Sequence, residues 1–191
     1  MSYSRFSTGI ARGICREIKL GSEQEEIIAY AIENLMLSIG GFILVFIIGS
    51  LFHAVIPAFT AAVAGGLLRR FSGGAHSSTP QRCLVFGAIT YGIVGVLAKY
   101  LSVYLEGYKF ILFTCLLVSL IVVSLYAPVD CKAKPIRSAD LRRKLKVGSV
   151  FCVVVMLVIV SFVHSISVTT AIALGALYQS ITLLPVFNQG R

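Results

Sequence analysis

The chain has 191 residues, 57% of them hydrophobic and only 13% charged, with a mean hydropathy of +0.90. Soluble domains carry about 25% charged residues, so this composition excludes an ordinary soluble enzyme and points to a bilayer. The formal net charge of +9 does not indicate a nucleic-acid partner, because the basic residues fall between long apolar runs rather than on a repeated polar face with interleaved aromatics.

In chain order, the first 34 residues hold charges of both signs, with Ile10, Ile14 and Ile18, then Ile27, Ile28, Ala31 and Leu35, at three- and four-residue steps on either side of Gly21-Ser22. That spacing predicts one or two amphipathic helices on the inner membrane surface or packed against the membrane domain. Ser22 followed by Glu25 reads as a capping box opening the second of them. The first apolar run begins too late and runs too long for a secretory signal peptide, so no cleaved leader is expected.

Four stretches then lack Asp, Glu, Lys and Arg: 34–68, 83–98, 111–129 and 147–190. A crossing needs roughly 20 residues, so the first and last stretches are expected to cross twice and the middle two once. The expectation is an all-α, polytopic membrane protein. A segment 1–34 precedes six transmembrane helices within 35–187, at about 35–52, 54–68, 83–101, 110–128, 147–163 and 168–187, and 188–191 form a tail. The first hairpin is expected to turn near His53 to Pro57 and the last near His164 to Ser167, with a re-entrant pair as the alternative for the tight first hairpin. With six spans, all but Lys99 and Lys109 of the 17 Lys and Arg residues fall on one side, which predicts that both termini are cytoplasmic.

The five cysteines include no short-spaced pair and suit neither a disulfide framework nor a zinc site. Cys115 and Cys152 lie within apolar runs and are expected to pack as small hydrophobes; Cys15 and Cys131 lack a neighbouring histidine. Cys83 is different. It ends the loop that runs from Arg69 through Gly73-Gly74-Ala75-His76 to Thr79-Pro80-Gln81-Arg82. In one continuous helix His76 and Cys83 would stand about 10 Å apart along the axis, too far for proton transfer, so the chain must bend between them.

Thr79 suits an N-cap and Pro80 the first helical position, which puts Cys83 in the first turn of the third span. There the positive end of the helix dipole, with Arg82 beside it, stabilises negative charge on sulfur. Gly73-Gly74 permits a sharp fold that would return His76 over Cys83 as a general base. The alternative is an incidental histidine and cysteine at a membrane interface. For Arg69 it is a snorkelling anchor, for Gly74 a simple turn, and for the basic loop 132–146 plain topology determination.

At this loop the sequence resembles the accessory gene regulator B (AgrB) family, membrane cysteine endopeptidases of Gram-positive bacteria that process quorum-sensing propeptides. The resemblance rests on Arg69, Gly74, His76 and Cys83 in the pattern Arg-x4-Gly-x-His-x6-Cys, on Tyr126-Ala127-Pro128 and on Lys134-Pro135 leading into a basic loop. It implies that Cys83 is the nucleophile, His76 its base, and Arg69 and Gly74 supports of the site. The implied reaction removes the C-terminal tail of an AgrD-like propeptide through an acyl-enzyme thioester and promotes cyclisation to a thiolactone or lactone. It also implies a plasma-membrane location and a homodimer among membrane lipids.

Lys132, Lys134, Arg142, Arg143 and Lys144 are candidate contacts for an acidic propeptide tail. For the oxyanion, the Cys83 N–H and the Gln81 side chain are candidates; for orienting His76, Ser77, Glu33 and Asp130 are. No metal or other cofactor is expected, and no nucleotide-binding P-loop is present. The competing function is a small non-enzymatic transporter or channel subunit, which would be expected to carry an ionisable residue mid-span, and the span interiors here lack one.

Overall fold

The computed structural model describes residues 4–18, 20–74, 79–130 and 138–188. These form seven α-helices: α1 (Arg5–Glu17), α2 (Ser22–Leu51), α3 (Val55–Ser72), α4 (Pro80–Leu105), α5 (Lys109–Tyr126), α6 (Ala139–Phe162) and α7 (Ile166–Ile181). A short 3-10 helix, Pro185–Phe187, follows, and the described residues contain no strand, as an all-α chain requires.

The helix starts follow local chemistry. Ser4 caps α1 by accepting the Ser7 N–H at 3.1 Å, and Ser138 caps α6 by accepting the Leu141 N–H at 3.4 Å. Helix α2 departs from the capping box expected at Ser22. Gly21 takes the cap position without a side-chain bond, and Ser22 is the first helical residue. From there α2 continues unbroken to Leu51, so the polar turns around Glu23 to Glu33 and the apolar run beyond them form one 30-residue rod.

Helix α1 folds back against α2 through its small face, Ser7, Ala11 and Cys15, which is buried. Its larger stripe of Phe6, Ile10, Ile14 and Ile18 faces outward. The apolar stripe therefore does not serve as packing against the membrane domain. It remains available for a lipid surface, while Arg12 reaches Glu25 of α2 at 3.4 Å.

Helices α2, α4, α5 and α6 are long and apolar enough to cross a membrane. Helices α3 and α7 are not among them: α3 has the 18 residues of α5 but is less apolar, and α7 has 16 residues. At 1.5 Å per residue they reach about 27 and 24 Å, against roughly 30 Å of hydrocarbon. Their position explains their composition. Eight residues of α3 and nine of α7 are buried, most of them Ala, Gly, Ser or Thr, because these faces meet other helices, while Ile56, Phe59 and Leu67 leave one face of α3 exposed. Small side chains let helix axes approach where lipid offers no hydrophobic drive for association. A Cβ at Gly95 of α4 would overlap the backbone of Ala58 in α3. The glycines at 41, 65, 92 and 95 all meet residues of neighbouring helices in the same chain, so they are occupied by internal packing.

Around this pair, Leu68, Leu112, Leu116, Val123, Val153, Val160 and Leu183 close the core, and Cys115 and Cys152 pack against it as small apolar groups. The outer faces carry Leu35, Ile43, Phe46, Phe86, Ile121 and Phe151 exposed. A soluble protein does not display so continuous an apolar surface, whereas lipid accommodates it.

The turn between α2 and α3 is locked from outside. Lys99 of α4 donates to the carbonyls of Phe52 at 3.2 Å and His53 at 3.0 Å, satisfying acceptors at the end of α2 while His53 holds a φ of 51°. Lys99→Met is expected to lower the melting temperature in detergent by an amount equivalent to about 1 kcal/mol. An unchanged melting curve would show that the carbonyls are equally well served by water.

Candidate active site

The site begins where α3 ends. The Gly73 N–H closes α3 on the Arg69 carbonyl at 3.0 Å, and the chain then turns through Gly73 (φ 69°) and Gly74 (φ 127°), both in a region that disfavours any side chain. A Cβ at Gly73 would stand 2.5 Å from the Val129 carbonyl oxygen, and one at Gly74 would stand 2.7 Å from Thr182 Oγ1. The double glycine is thus required by backbone conformation and by closely packed neighbours. The Val129 N–H, just beyond the cis Ala127–Pro128 bond, donates to the Ser72 carbonyl at 2.9 Å and ties the exit of α5 to the same turn.

Helix α4 is capped by Thr79, whose hydroxyl accepts the Arg82 N–H at 3.3 Å, with Pro80 at the first helical position. This is the cap that the Thr-Pro pair predicts. It sets Cys83 in the first turn, half-buried and with a free thiol. The Cys83 N–H donates to the Thr79 carbonyl at 3.1 Å, which makes it part of the helix ladder rather than a spare oxyanion donor.

Arg69 crosses from α3 to α4 and places Nη2 3.5 Å from Cys83 Sγ. A guanidinium at that distance attracts a sulfur that carries, or is gaining, negative charge. Both residues line a cavity of about 600 Å³ between α2, α3 and α4. Its walls are largely apolar, with Leu37, Phe42, Leu67 and Phe86 among them, and its polar groups include Arg69, Arg70, Tyr91, Tyr178 and Thr182. A concave apolar space with a few convergent polar groups and a thiol at its edge suits a bound peptide segment better than a small ion.

Several expected site residues fall elsewhere. His76, Ser77, Lys132 and Lys134 lie outside the described residues. Arg142, Arg143 and Lys144 are exposed on the first turns of α6 and do not line the Cys83 cavity; Arg142 pairs with Asp130. Neither Asp130 nor Glu33 lines the cavity. Gln81 is exposed in the first turn of α4. Among the described residues no three His, Cys, Asp or Glu side chains converge as metal ligands.

The sequence reading missed the buried polar side chains beneath the turn. Gln179 of α7 is fully buried, and Tyr91 of α4 meets Tyr178 edge-on with ring centroids 5.5 Å apart. The signal for Gln179 was an amide inside an apolar run, which must find partners when no water is at hand.

The family model for accessory gene regulator B matches residues 7–183. The chain therefore belongs to the AgrB family. It is 30% identical over 192 residues to an AgrB-like protein of Clostridium perfringens, covering 94% of this chain and 90% of the relative. It is also 29% identical over 160 residues to accessory gene regulator protein B of Staphylococcus epidermidis, covering 84% of this chain and 79% of the relative. The accessory gene regulator protein B of Staphylococcus haemolyticus is 31% identical over 137 residues, 72% of this chain and 70% of that protein. No solved structure matches.

The packing around the double glycine yields a stability test. Gly74→Ala is expected to cost roughly 1–3 kcal/mol in thermal unfolding, because it forces a side chain into a disfavoured φ and against Thr182. Gly40→Ala, at a position with open space, is expected to leave the melting point within about 2 °C or raise it slightly. Equal behaviour of the two variants would contradict the geometry of the turn.

Proposed function

We propose that the chain is a membrane-embedded cysteine endopeptidase that removes the C-terminal tail of an AgrD-like propeptide and promotes its cyclisation. Family membership ties it to accessory gene regulator quorum sensing. The observation that carries the enzymatic reading is the Arg69 guanidinium against the Cys83 sulfur, at the rim of a cavity large enough for several peptide side chains.

In this reading His76 removes the proton from the Cys83 thiol, and the sulfur attacks the scissile carbonyl. The peptide C–N bond breaks, His76 returns the proton to the departing amine of the tail, and the remaining acyl group stays on Cys83 as a thioester. A thiol within the propeptide then attacks that carbonyl and restores the Cys83 thiol, leaving a thiolactone; a peptide hydroxyl would give a lactone. Exchange between two thioesters is nearly balanced, which suits sulfur rather than a serine oxygen as the nucleophile. Release of the tail draws the cycle forward, and the apolar cavity wall protects the intermediate from water.

Arg69 holds charge on the sulfur, and Gly74 shapes the approach to the loop carrying His76. Lys132, Lys134, Arg142, Arg143 and Lys144 form a basic region that attracts an acidic tail. In the same reading α2 to α7 all cross the bilayer, α3 and α7 as short inner spans, with both termini in the cytoplasm of a Gram-positive bacterium. The protein works as a homodimer in contact with membrane lipids.

Co-expression with an AgrD-like propeptide tests this reading. The chain is expected to yield a shortened peptide, Cys83→Ala and His76→Ala to yield none at equal membrane levels, and Arg69→Gln to reduce the product at least tenfold. Normal processing by Cys83→Ala would remove the peptidase assignment.

A further inference from the structure

Gln179 sits at the junction of three helices, and its hydrogen bonds leave little freedom in how α3 meets α4. The Gly73 carbonyl accepts from Gln179 Nε2 at 2.7 Å, and the Ser72 hydroxyl lies 3.3 Å from the same nitrogen. A carbonyl oxygen only accepts, so the amide nitrogen must face the turn and the amide oxygen must face away from it. Tyr91 of α4 donates to that oxygen at 3.2 Å. Gly65 of α3 makes room for the Tyr91 ring, since a Cβ there would overlap it. Thr182 Oγ1 in turn donates to the Gln179 carbonyl at 2.7 Å and packs under Gly74. Ser72, Tyr91 and Gln179 are all buried, and bonds of this kind are stronger and more directional in a low-dielectric interior.

The two ends of this bridge bracket the Arg69–Cys83 contact. Gly73 lies one helical turn beyond Arg69, on whose carbonyl it closes α3. Tyr91 lies two turns along α4 from Cys83 and shares its cavity. A side chain that ties the end of α3 to α4 therefore fixes the distance across which the guanidinium reaches the sulfur. We propose that Gln179, together with Tyr91, is a positioning residue that holds the Arg69 guanidinium against the Cys83 sulfur. The inference deepens the peptidase reading, but its consequence is visible in the chemistry of the sulfur itself.

The test compares two alkylating reagents on membranes carrying the full-length chain at neutral pH, iodoacetate being anionic and iodoacetamide neutral. Cleavage by trypsin after Arg82 and Lys99 releases residues 83–99, whose only cysteine is Cys83, so mass spectrometry reads that site alone. A positive charge at the sulfur accelerates the anionic reagent selectively, and the ratio of the two rates measures it. Arg69→Gln is expected to lower the ratio about fivefold, setting the value without a guanidinium.

Gln179→Met, which keeps the volume and removes all three bonds, is expected to move the ratio at least threefold toward that value. Tyr91→Phe, which removes only the bond to Oε1 and preserves the ring, is expected to shift it part of the way, and it carries the test if Gln179→Met fails to accumulate. A contribution to stability alone would lower the melting point and leave the ratio at its original value in these variants, and that result overturns the proposal. Processing is measured in parallel: if Cys83→Ala still processes propeptide, the peptidase reading falls, and the alkylation ratio still decides the role of Gln179.

Discussion

The proposed chemistry at this end of the bundle depends on one contact between helices, an arginine from the last turn of α3 reaching the sulfur in the first turn of α4. Each partner arrives by a separate local rule. Arg69 belongs to the Arg-Arg pair in the last turn of an otherwise largely apolar helix. Cys83 is delivered by the Thr79-Pro80 start of α4, which fixes both the residue at which the helix begins and the direction in which its first turn points. The double glycine between them lets the two helix ends approach without a steric cost at the turn.

The bundle places the helices richest in buried small residues at its centre. In water the reverse holds, because burial of large apolar side chains drives folding; within lipid, close approach of small residues and satisfied polar groups does more of the work. Helices α3 and α7 are rich in Ala, Gly, Ser and Thr, and they contribute Arg69, Ser72, Gln179 and Thr182 to the site and its support. The helices rich in Leu, Ile and Val form the outer wall. The same packing that sets the core therefore also carries the polar machinery.

How much was legible in the sequence follows from how local each signal is. The cap at Thr79 is readable because the hydroxyl and the N–H it accepts lie three residues apart. The turn at Gly73-Gly74 is readable for a similar reason. The Arg69–Cys83 contact joins residues 14 apart across a helical hairpin, and no spacing rule predicts a cross-helix approach; family resemblance flagged both residues without saying that they touch. Gln179 meets Gly73 across 106 positions of sequence, which places it beyond any local pattern. Ser22 does not cap α2 because Gly21 adopts the extended cap conformation itself, leaving the serine inside the helix. Charge-free length suggests six spans, of which four are helices long and apolar enough to cross, and the small-residue composition of α3 and α7 reflects neighbours the sequence does not display.

The most direct measurement is to quench the chain with its propeptide in acid at successive times and search for a covalent adduct by mass spectrometry. The account predicts that residues 83–99 transiently carry the N-terminal part of the propeptide on the Cys83 sulfur, in a bond that hydroxylamine releases. Cleavage of the propeptide with Cys83 free of adduct at every time, or with the acyl group on a different side chain, would contradict it.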